Sequence, residues 1–320
     1  MELIEEAIGP ELARFSQYYK DAFTSDTPLL DKILGYLAAQ KGKQLRPMFG
    51  LLCARLGGAI GESSYRAALF VEILHTSSLL HDDLVDEALE RRSAFSVNAL
   101  WKNRTTVFTG DYLFTRAILL LLSHGDHRIL KIFSEAIGKV IEGELLQLEK
   151  SRQLNLDEGL YYDIIKGKTA TLLAACCAAG AASTFREEEP VRRLHQFGEK
   201  LGMAFQIRDD LLDYGTAAIG KPTGNDIKER KVTLPLLYTL NHCEKGLRRK
   251  LLHIVRHKNT DADSIAFLNK AVADGGGMAY ATEKMLAFRE EALQLLAGFE
   301  SSPARSALEA LARYSTERAI

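Results

Sequence analysis

The prolines of this chain are spaced so unevenly that they limit its fold class. The 320-residue sequence has seven prolines, and none lies between Pro47 and Pro190. Proline interrupts the interior of a helix, so a proline-free stretch of this length favours helices over turn-rich β structure. Segment 67–89 also lacks glycine and has a mostly apolar face, and segment 191–214 continues from Pro190. Both segments are predicted to form long core helices.

The rest of the chain shows the same pattern. Alternating strand patterns are almost absent, and the main loop signals are glycine-containing stretches at 57–64, 215–226 and 275–277. Further helices are predicted at 29–40, 44–57, 106–123, 127–151, 158–182, 233–243, 246–257, 262–274, 278–297 and 303–316. No linker or low-complexity block divides the chain. The sequence therefore predicts one all-α domain over residues 1–320, built as a single large helical bundle.

Composition and charge exclude several classes of protein function. Hydrophobic residues make up 47% and charged residues 26% of the chain, which excludes a disordered protein. A net charge of −1 lacks the basic excess of a general nucleic-acid binder, so no nucleic-acid partner is expected. The acidic N-terminus has no secretory-signal pattern, and no apolar run is long enough for a transmembrane segment. The four cysteines lack zinc-site spacing, which favours a reduced, cytoplasmic compartment.

Two copies of the pattern DDxxD occur inside apolar helical segments. The six carboxylates are Asp82, Asp83 and Asp86 in the first copy and Asp209, Asp210 and Asp213 in the second. At about 100° per residue, the three carboxylates of each copy share one arc of their helix. Like charges in an apolar helix are costly unless a partner compensates them, so a solvated acidic face explains one copy more easily than two. Hard oxygen ligands without a Cys or His cluster favour Mg²⁺, with Mn²⁺ as the alternative, and two facing clusters could hold several ions around a diphosphate.

Basic residues occur in several short motifs, most of them beside glycines. They are Lys43 and Arg46 in GKQLRP, Arg91 and Arg92 after the first DDxxD, Lys168 in KGKT, Lys221 in GKPTGND, and Lys231. Arginine binds phosphate through paired hydrogen bonds and lysine as a point charge. Each motif alone is also compatible with ordinary solvated cations, and the Walker A pattern is absent.

Together these motifs resemble the trans-isoprenyl diphosphate synthase (polyprenyl synthetase) family. The resemblance also includes EILHT at 72–76, EGELLQ at 142–147, GKTA at 167–170, FQIRDDLLD at 205–213 and KVTLP at 231–235, in the family's order. It implies head-to-tail condensation of isopentenyl diphosphate with an allylic diphosphate. It also implies an all-α bundle around a deep central cavity, two or three Mg²⁺ ions and a homodimer. One departure follows Arg92, where RRSAFSVN has Ser93 and Phe95 in place of the family's usual Gly and nearby Pro.

By motif match, the resemblance implies a role for each candidate site residue. The six aspartates bind Mg²⁺ and, with Lys168, form the catalytic group. The residues implied for isopentenyl diphosphate are Lys43, Arg46, His75 and Arg92. Those implied for the allylic diphosphate are Arg91, Lys168, Thr169, Gln206, Lys221 and Lys231.

Product length is expected to depend on a strip of the first aspartate helix formed by Ser77, Ser78, Leu74 and Phe70. In the family, bulky aromatics four and five residues before the first aspartate stop chain growth early, and here both positions are serine. One helical turn rises about 5.4 Å, similar to one isoprene unit, so a product of about C30 to C50 is expected by analogy. Phe70 and Phe133 are alternative floors of this tunnel. The enzyme is expected in the cytoplasm, loosely associated with the membrane that receives its product.

Three other functions compete with this interpretation. A short-chain geranylgeranyl or farnesyl diphosphate synthase is the nearest alternative. A class I terpene cyclase also ionises a prenyl diphosphate at DDxxD, but its second metal motif normally mixes residue types, whereas the second motif here is all aspartate. A non-catalytic regulatory subunit would be expected to lose one aspartate motif, and both are intact. Prenyl-chain elongation is therefore the predicted function.

Overall fold

The computed structural model describes residues 2–40, 42–85, 88–91, 94–151, 156–214 and 224–317, and these are almost entirely helical. The predicted all-α class is therefore confirmed. The helices are α1 (Glu2–Ala22), α2 (Pro28–Ala39), α3 (Leu45–Gly57), α4 (Glu62–Val85), α5 (Val97–Leu122), α6 (His127–Ser151), α7 (Glu158–Ile165), α8 (Thr171–Ala182), α9 (Glu188–Asp213), α10 (Asn225–Lys228), α11 (Leu234–His242), α12 (Lys245–His257), α13 (Ala262–Asp274), α14 (Gly277–Leu296) and α15 (Pro303–Glu317). A π-helical turn (Lys166–Ala170) joins α7 to α8, and a short ribbon pairs β1 (Glu90–Arg91) with β2 (Ala94–Phe95).

Helix α1 is the longest element that sequence periodicity missed. Its backbone leaves helical geometry at Ile8 (φ −145°, ψ 21°), so the element consists of two helical segments. Pro10 then falls in the first turn of the second segment. Proline is tolerated there, because the N–H that it lacks has no partner within a helix's first turn.

Two predicted helices differ from the structure by more than three residues at one end or both. The helix predicted at 67–89 begins earlier, at Glu62, and ends at Val85, because the described residues that follow leave the helix and form the ribbon. The helix predicted at 106–123 belongs to α5, which begins at Val97 and has a backbone break at Lys102 (φ 68°, ψ 167°). The predicted segment is the part of α5 that follows this break.

The chain packs as two compact units, and unit 1 comprises Met1–Ser134, Ala175–His195 and Phe299–Leu311. Within it, α4 packs against both α3 and α5. Small residues of α8 let α3 approach closely, since a Cβ at Gly180 would lie 2.0 Å from the carbonyl oxygen of Gly50. This packing supports α4, whose last turn carries Asp82 and Asp83.

Unit 2 comprises Glu135–Ala174, Gln196–Gly298 and Ala312–Ile320. One apolar cluster in it packs α7 against α9, with Tyr161 and Leu211 among the buried members. A second cluster packs α11, α12 and α13 around residues that include Leu240 and Val255. These two clusters support the end of α9, which carries the second aspartate motif. The single domain over residues 1–320 stays a prediction.

Among the described residues, two helical segments are long and apolar enough to cross a membrane by length and composition alone. They are Val97–Leu122, with 33% of its apolar window buried in the protein, and Glu158–Ala182, with 61% buried. Core helices of soluble proteins meet the same criteria, so this evidence is weak. The predicted lack of a transmembrane segment stays a prediction.

Candidate active site

Asp210 is the most enclosed carboxylate of the second aspartate motif, with 4% of its surface exposed. Both of its oxygens accept hydrogen bonds. The Tyr161 hydroxyl donates to Oδ2 at 2.7 Å, and the Gln206 amide donates to Oδ1 at 2.8 Å. Gln206 in turn accepts a hydrogen bond from the Thr169 hydroxyl at 2.6 Å. The structure thus links three predicted site residues, Thr169, Gln206 and Asp210, into one chain of hydrogen bonds.

Asp213 has a different role from the one that its position in DDxxD suggests. Its two carboxylate oxygens accept hydrogen bonds from the backbone N–H groups of Asn225 and Asp226, both at 3.0 Å. Asp213 therefore ties the start of α10 to the end of α9. This contact brings Asp226 into the site as a further carboxylate.

Two of these carboxylates resist ionisation in the absence of a cation. Burial raises the pKa of Asp210 to about 8, and the charge of Asp226 adds to the rise. Burial also raises the pKa of Asp226 to about 7, and the charge of Asp213 adds to that rise. Each shift reports the cost of placing negative charges close together away from water. A bound cation would remove that cost.

The GKTA motif forms the π-helical turn between α7 and α8. A Cβ at Gly143 of α6 would lie 2.9 Å from the backbone nitrogen of Lys168, so glycine is needed for this close approach. Single π-helical turns within helices are frequent at functional sites. The turn presents the ammonium group of Lys168, which lies 2.9 Å from a carboxylate oxygen of Glu144. Lys168 is thus held in place before any ligand binds.

Several of these groups line one pocket of about 110 Å³ within unit 2. Its polar lining includes Lys168, Gln206, Asp210, Asp226 and Lys231. Lys231 also forms an ion pair with Glu229. The wall also includes the charged side chains of Asp157 and Arg230, and its aliphatic side chains are Leu160, Ile164, Ile165, Val232 and Leu237. The structure therefore brings together several residues predicted to hold the allylic diphosphate.

The first aspartate motif has a contrasting arrangement in unit 1. Asp82 is exposed, whereas Asp83 is buried and accepts a hydrogen bond from Nε of Arg91 at 2.5 Å. Arg91 lies on the ribbon that follows α4, and the Tyr36 hydroxyl donates to the backbone carbonyl of Phe95 on the paired strand at 2.6 Å. Arg91 therefore neutralises a motif carboxylate, so it is engaged by the protein itself before any phosphate arrives.

The residues predicted for isopentenyl diphosphate flank the start of α3. Lys43 is exposed, Arg46 is half-buried, and His75 is half-buried on α4, which packs against α3. Between the two cations, Gln44 adopts the left-handed conformation (φ 52°, ψ 38°), which is uncommon for residues other than glycine. The Gln44 side-chain nitrogen is buried and has no hydrogen-bond acceptor among the described residues. A strained turn with an unsatisfied donor is typical of a ligand site.

The predicted product-length strip lies on α4 and is mostly buried. The Ser77 hydroxyl donates to the carbonyl oxygen of Gly110 at 2.8 Å, so it holds α4 against α5. The Ser78 hydroxyl donates to the His75 carbonyl within its own helix at 2.9 Å. Leu74 and Phe70 are buried, and Phe70 stacks on Phe133 with ring centroids 4.4 Å apart. The two candidate floor residues therefore form one stacked pair.

Some predicted residues lie outside the described part of the chain, namely Asp86, Arg92, Ser93 and Lys221. Sequence reasoning missed the roles of Tyr161 and Asp226, and it left Glu144 open between a supporting role and a solvated helix face. Asp226 ends the GKPTGND motif, which was a usable signal, and Glu144 lies in the EGELLQ motif. Tyr161 is separated from Asp210 by 49 residues, and no local pattern indicates that contact.

The fold and the two aspartate motifs place the chain among the helical isoprenoid synthases. Residues 27–272 match the family described as Polyprenyl synthetase. The chain is 34% identical to octaprenyl diphosphate synthase of Escherichia coli strain K12 over 334 residues, which covers 99% of each chain. The chain belongs to the polyprenyl synthetase family.

Two solved structures are similar over almost the whole length. A decaprenyl diphosphate synthase from Rhodobacter capsulatus is 33% identical with a TM-score of 0.92, covering 98% of each chain. A polyprenyl synthase from Caulobacter crescentus CB15, complexed with calcium and isoprenyl diphosphate, is 32% identical with a TM-score of 0.92. That match covers 99% of this chain and 97% of the other. The resemblance inferred from the motifs is confirmed, and the protein is a trans-prenyltransferase.

Proposed function

We propose that this enzyme is a Mg²⁺-dependent trans-polyprenyl diphosphate synthase that adds isopentenyl diphosphate units to an allylic diphosphate. The observation that carries the proposal is the pocket in which Lys168, Gln206 and Lys231 meet the buried carboxylates of Asp210 and Asp226. Relatives named for octaprenyl and decaprenyl products support a long product. We infer a product of about C30 to C50, since each turn of α4 accommodates roughly one isoprene unit.

The donor set fits Mg²⁺. The ligands available are carboxylate oxygens, which hard divalent cations prefer. Burial and neighbouring negative charges raise the pKa values of Asp210 and Asp226, so a cation would favour their charged forms. Among the described residues no group of three or more Asp, Glu, His or Cys side chains is arranged to hold a metal by itself. Mg²⁺ usually takes only one or two protein carboxylates and completes its shell with water and phosphate oxygens. We infer two or three ions, held by motif aspartates and by oxygens of the substrate diphosphate.

When bound, Mg²⁺ supplies neutralisation of the charge that develops on the departing diphosphate. The C–O bond of the allylic diphosphate breaks, and the double bond of isopentenyl diphosphate forms the new C–C bond. A proton is then lost from the former isopentenyl unit, and the released diphosphate accepts it. Lys168 and Lys231 hold the diphosphate. The Gln206 amide also donates to the diphosphate, and the Thr169 hydroxyl fixes the orientation of that amide. Leu160, Ile164 and Val232 exclude water, which would quench the carbocation.

The isopentenyl side is assigned to the GKQLRP turn. Lys43 and Arg46 supply cations and Gln44 supplies an unsatisfied N–H donor. His75 on α4 and Arg92 complete the proposed set. Holding the second substrate in a fixed orientation makes the C–C bond-forming step effectively intramolecular.

Product analysis tests this proposal directly. The purified chain is incubated with labelled isopentenyl diphosphate, Mg²⁺ and a series of allylic primers of increasing length. We expect elongated diphosphates from the wild type and none in the presence of a metal chelator. Turnover should fall by roughly two to three powers of ten in Asp82→Ala and Asp209→Ala. Cyclic hydrocarbons would indicate a cyclase, and an inactive purified chain would indicate a regulatory subunit or a component that needs a partner chain. Products of only C15 or C20 would indicate the short-chain alternative.

We further propose a homodimer. Helix α6 exposes Ile141, Leu145 and Leu148 at helical spacing, each more than half exposed. Exposed apolar stripes of this kind mark protein contacts, and a second copy of the chain is the partner that the resemblance implies. Leu145→Glu with Leu148→Glu is expected to convert the dimer to a monomer in sedimentation experiments. Leu286→Glu, at an exposed leucine of α14, is the matched control and should leave the dimer intact.

The proposed location is the cytoplasm, with loose attachment to the membrane that receives the product. Cell fractionation tests this. We expect the protein mainly in the soluble fraction, with a salt-removable part on membranes.

A further inference from the structure

Helix α12 concentrates positive charge in a chain whose net charge is −1. Residues 245–260 contain six lysines and arginines and no aspartate or glutamate. The six are Lys245, Arg248, Arg249, Lys250, Arg256 and Lys258. No other helix of the described chain carries so many cations without an acid, so this segment has an electrostatic character of its own.

The charge lies on one face of the helix. At about 100° per residue, Lys245, Arg249, Lys250 and Arg256 fall within an arc of about 140°. All four are exposed, whereas the opposite face buries Leu251, Ile254 and Val255 in the core of unit 2. Because the apolar face of α12 is packed in the core of unit 2, the charged face points toward the solvent.

Five of the six cations have no carboxylate partner in the described structure, and the charge of Lys258 acts on Asp261 after the helix. No ion pair there involves any of the six residues, although many other lysines and arginines of the protein are paired. The nearest acid after the helix, Asp261, accepts a hydrogen bond from the Ser264 N–H at 3.0 Å and caps α13. The basic face is therefore available to an external anion.

An exposed aromatic ring lies beside this face. Phe267 of α13 is 37% exposed, and the Lys250 ammonium lies 3.6 Å from the centroid of its ring. Cationic side chains next to an exposed aromatic are typical of surfaces that contact lipid headgroups, where the ring enters the interface and the cations meet phosphates. A surface that binds only the phosphates of duplex nucleic acid has no need of an apolar ring beside its cations.

We propose that the exposed basic face of α12, together with Phe267, binds the anionic headgroups of a phospholipid bilayer. The surface is connected to the pocket region within unit 2, because the Asn259 side chain after α12 donates to the carbonyl oxygen of Lys228 at 2.6 Å. Residues 228–231 include two pocket-lining cations, Arg230 and Lys231. Docking would thus hold the enzyme against the membrane in which a long prenyl chain dissolves. This last role rests on the proposed function, whereas lipid binding itself does not.

Vesicle flotation tests the proposal without any assay of turnover. The full chain is mixed with vesicles of phosphatidylcholine alone or with about one quarter phosphatidylglycerol. We expect binding to the anionic vesicles only, weakening as salt is raised. Arg249→Gln with Lys250→Gln and Arg256→Gln should weaken this binding about 100-fold, since each cation near an anionic membrane contributes roughly fivefold.

A second triple variant is the matched control. Lys20→Gln with Lys32→Gln and Arg192→Gln removes three exposed cations from three other helices and the same total charge. It should bind as the wild type does. Equal losses in both variants, or wild-type binding to pure phosphatidylcholine, would overturn the proposal. So would tighter binding to duplex DNA than to anionic vesicles at the same salt concentration.

Turnover separates this proposal from the proposed function. In solution without vesicles, the α12 variant and the wild type should elongate a short primer at the same rate. With anionic vesicles, only the wild type should release long product faster. An inactive wild type that still binds vesicles would contradict the function and leave lipid binding supported.

Discussion

Asp210 shows how a single buried carboxylate is oriented by groups far away in sequence. Tyr161 and Gln206 each donate to one of its oxygens, so its position is fixed from both sides. The Gln206 contact comes from one turn earlier on α9, and the tyrosine contact comes from α7. The tyrosine hydroxyl therefore acts as a positioning group for a carboxylate that we assign to the metal site.

Tyr161→Phe removes this hydroxyl and keeps the packed ring. A hydrogen bond to a charged group contributes about 1.5–3 kcal/mol, so we expect kcat/KM to fall at least about tenfold. The Mg²⁺ concentration needed for half-maximal activity should rise, and the thermal stabilisation by Mg²⁺ with inorganic diphosphate should shrink. Tyr162→Phe is the control, since its hydroxyl donates to Glu158 instead. Equal effects of the two substitutions would show that Tyr161 does not position Asp210.

Asp126 gives a pH-dependent prediction at the same scale. It accepts hydrogen bonds from Nε of Arg66 at 2.5 Å and from the Ser63 hydroxyl at 2.7 Å. Burial works to raise its pKa, but the bonds from Arg66 and Ser63 outweigh burial and hold the pKa below the ordinary 3.8. Because the folded-state pKa is lowered, the stabilisation is present above the ordinary pKa and is lost as the pH falls through the folded-state value.

Asp126→Asn should therefore lower the free energy of unfolding by about 1–2 kcal/mol at neutral pH, the value expected for a partly solvated charged pair. The difference from wild type should shrink below the ordinary pKa, because the wild-type carboxyl also becomes neutral there. Urea denaturation of both proteins from about pH 7 to about pH 3 measures this difference in the free energy of unfolding. Asp274→Asn, at an exposed position, should show no loss at any pH. A penalty that is constant across this range would contradict the assignment.

At the scale of elements, the sequence predicted most helices because their signals are local. Prolines, glycines and apolar periodicity lie within each segment, and the predicted 127–151 and 262–274 match α6 and α13 residue for residue. The π-helical turn at Lys166–Ala170 could not be predicted in this way, since it depends on the backbone of α6 at Gly143. The DDxxD spacing likewise predicted which residues to examine. It did not predict the ion pair between Asp83 and Arg91. It also did not predict that Asp213 accepts hydrogen bonds from the backbone N–H groups of Asn225 and Asp226.

The packing of α3 on α8 depends on one glycine. A Cβ at Gly180 would lie 2.0 Å from the Gly50 backbone oxygen, which cannot move aside as a side chain can. Gly180→Ala gains about 1 kcal/mol of helix propensity, but we expect a net loss of about 1–3 kcal/mol from overpacking. Gly138→Ala in α6 is the control, because no atom lies within 4 Å of its added Cβ. Thermal unfolding should show a lower midpoint for Gly180→Ala and an unchanged or higher one for Gly138→Ala, and the reverse order would contradict this account.

Product length is a property of the whole molecule, because the growing chain must find apolar space inside the protein. Ser77 and Ser78 have the same predicted role from the sequence, but they make different contacts in the structure. Ser77 is buried and bonded to Gly110, so a bulky side chain there would break the contact between α4 and α5. Ser78 is half-buried and bonds only to its own helix, so it can be enlarged without loss of a tertiary contact. Ser78 is therefore the better position from which to test the strip that continues to Leu74 and Phe70.

Ser78→Phe should shorten the product to about C15 or C20, because an aromatic ring about one turn before Asp82 fills the space needed by the next isoprene unit. The first condensation should stay fast, since the carboxylates and cations of the site are unchanged. Chromatography of the dephosphorylated products measures the chain lengths. Ser78→Ala is the control and should keep the wild-type length. Ser77→Phe should mainly lower the thermal unfolding midpoint, because it breaks the contact with Gly110. Unchanged long products from folded Ser78→Phe would show that this face of α4 does not limit chain growth.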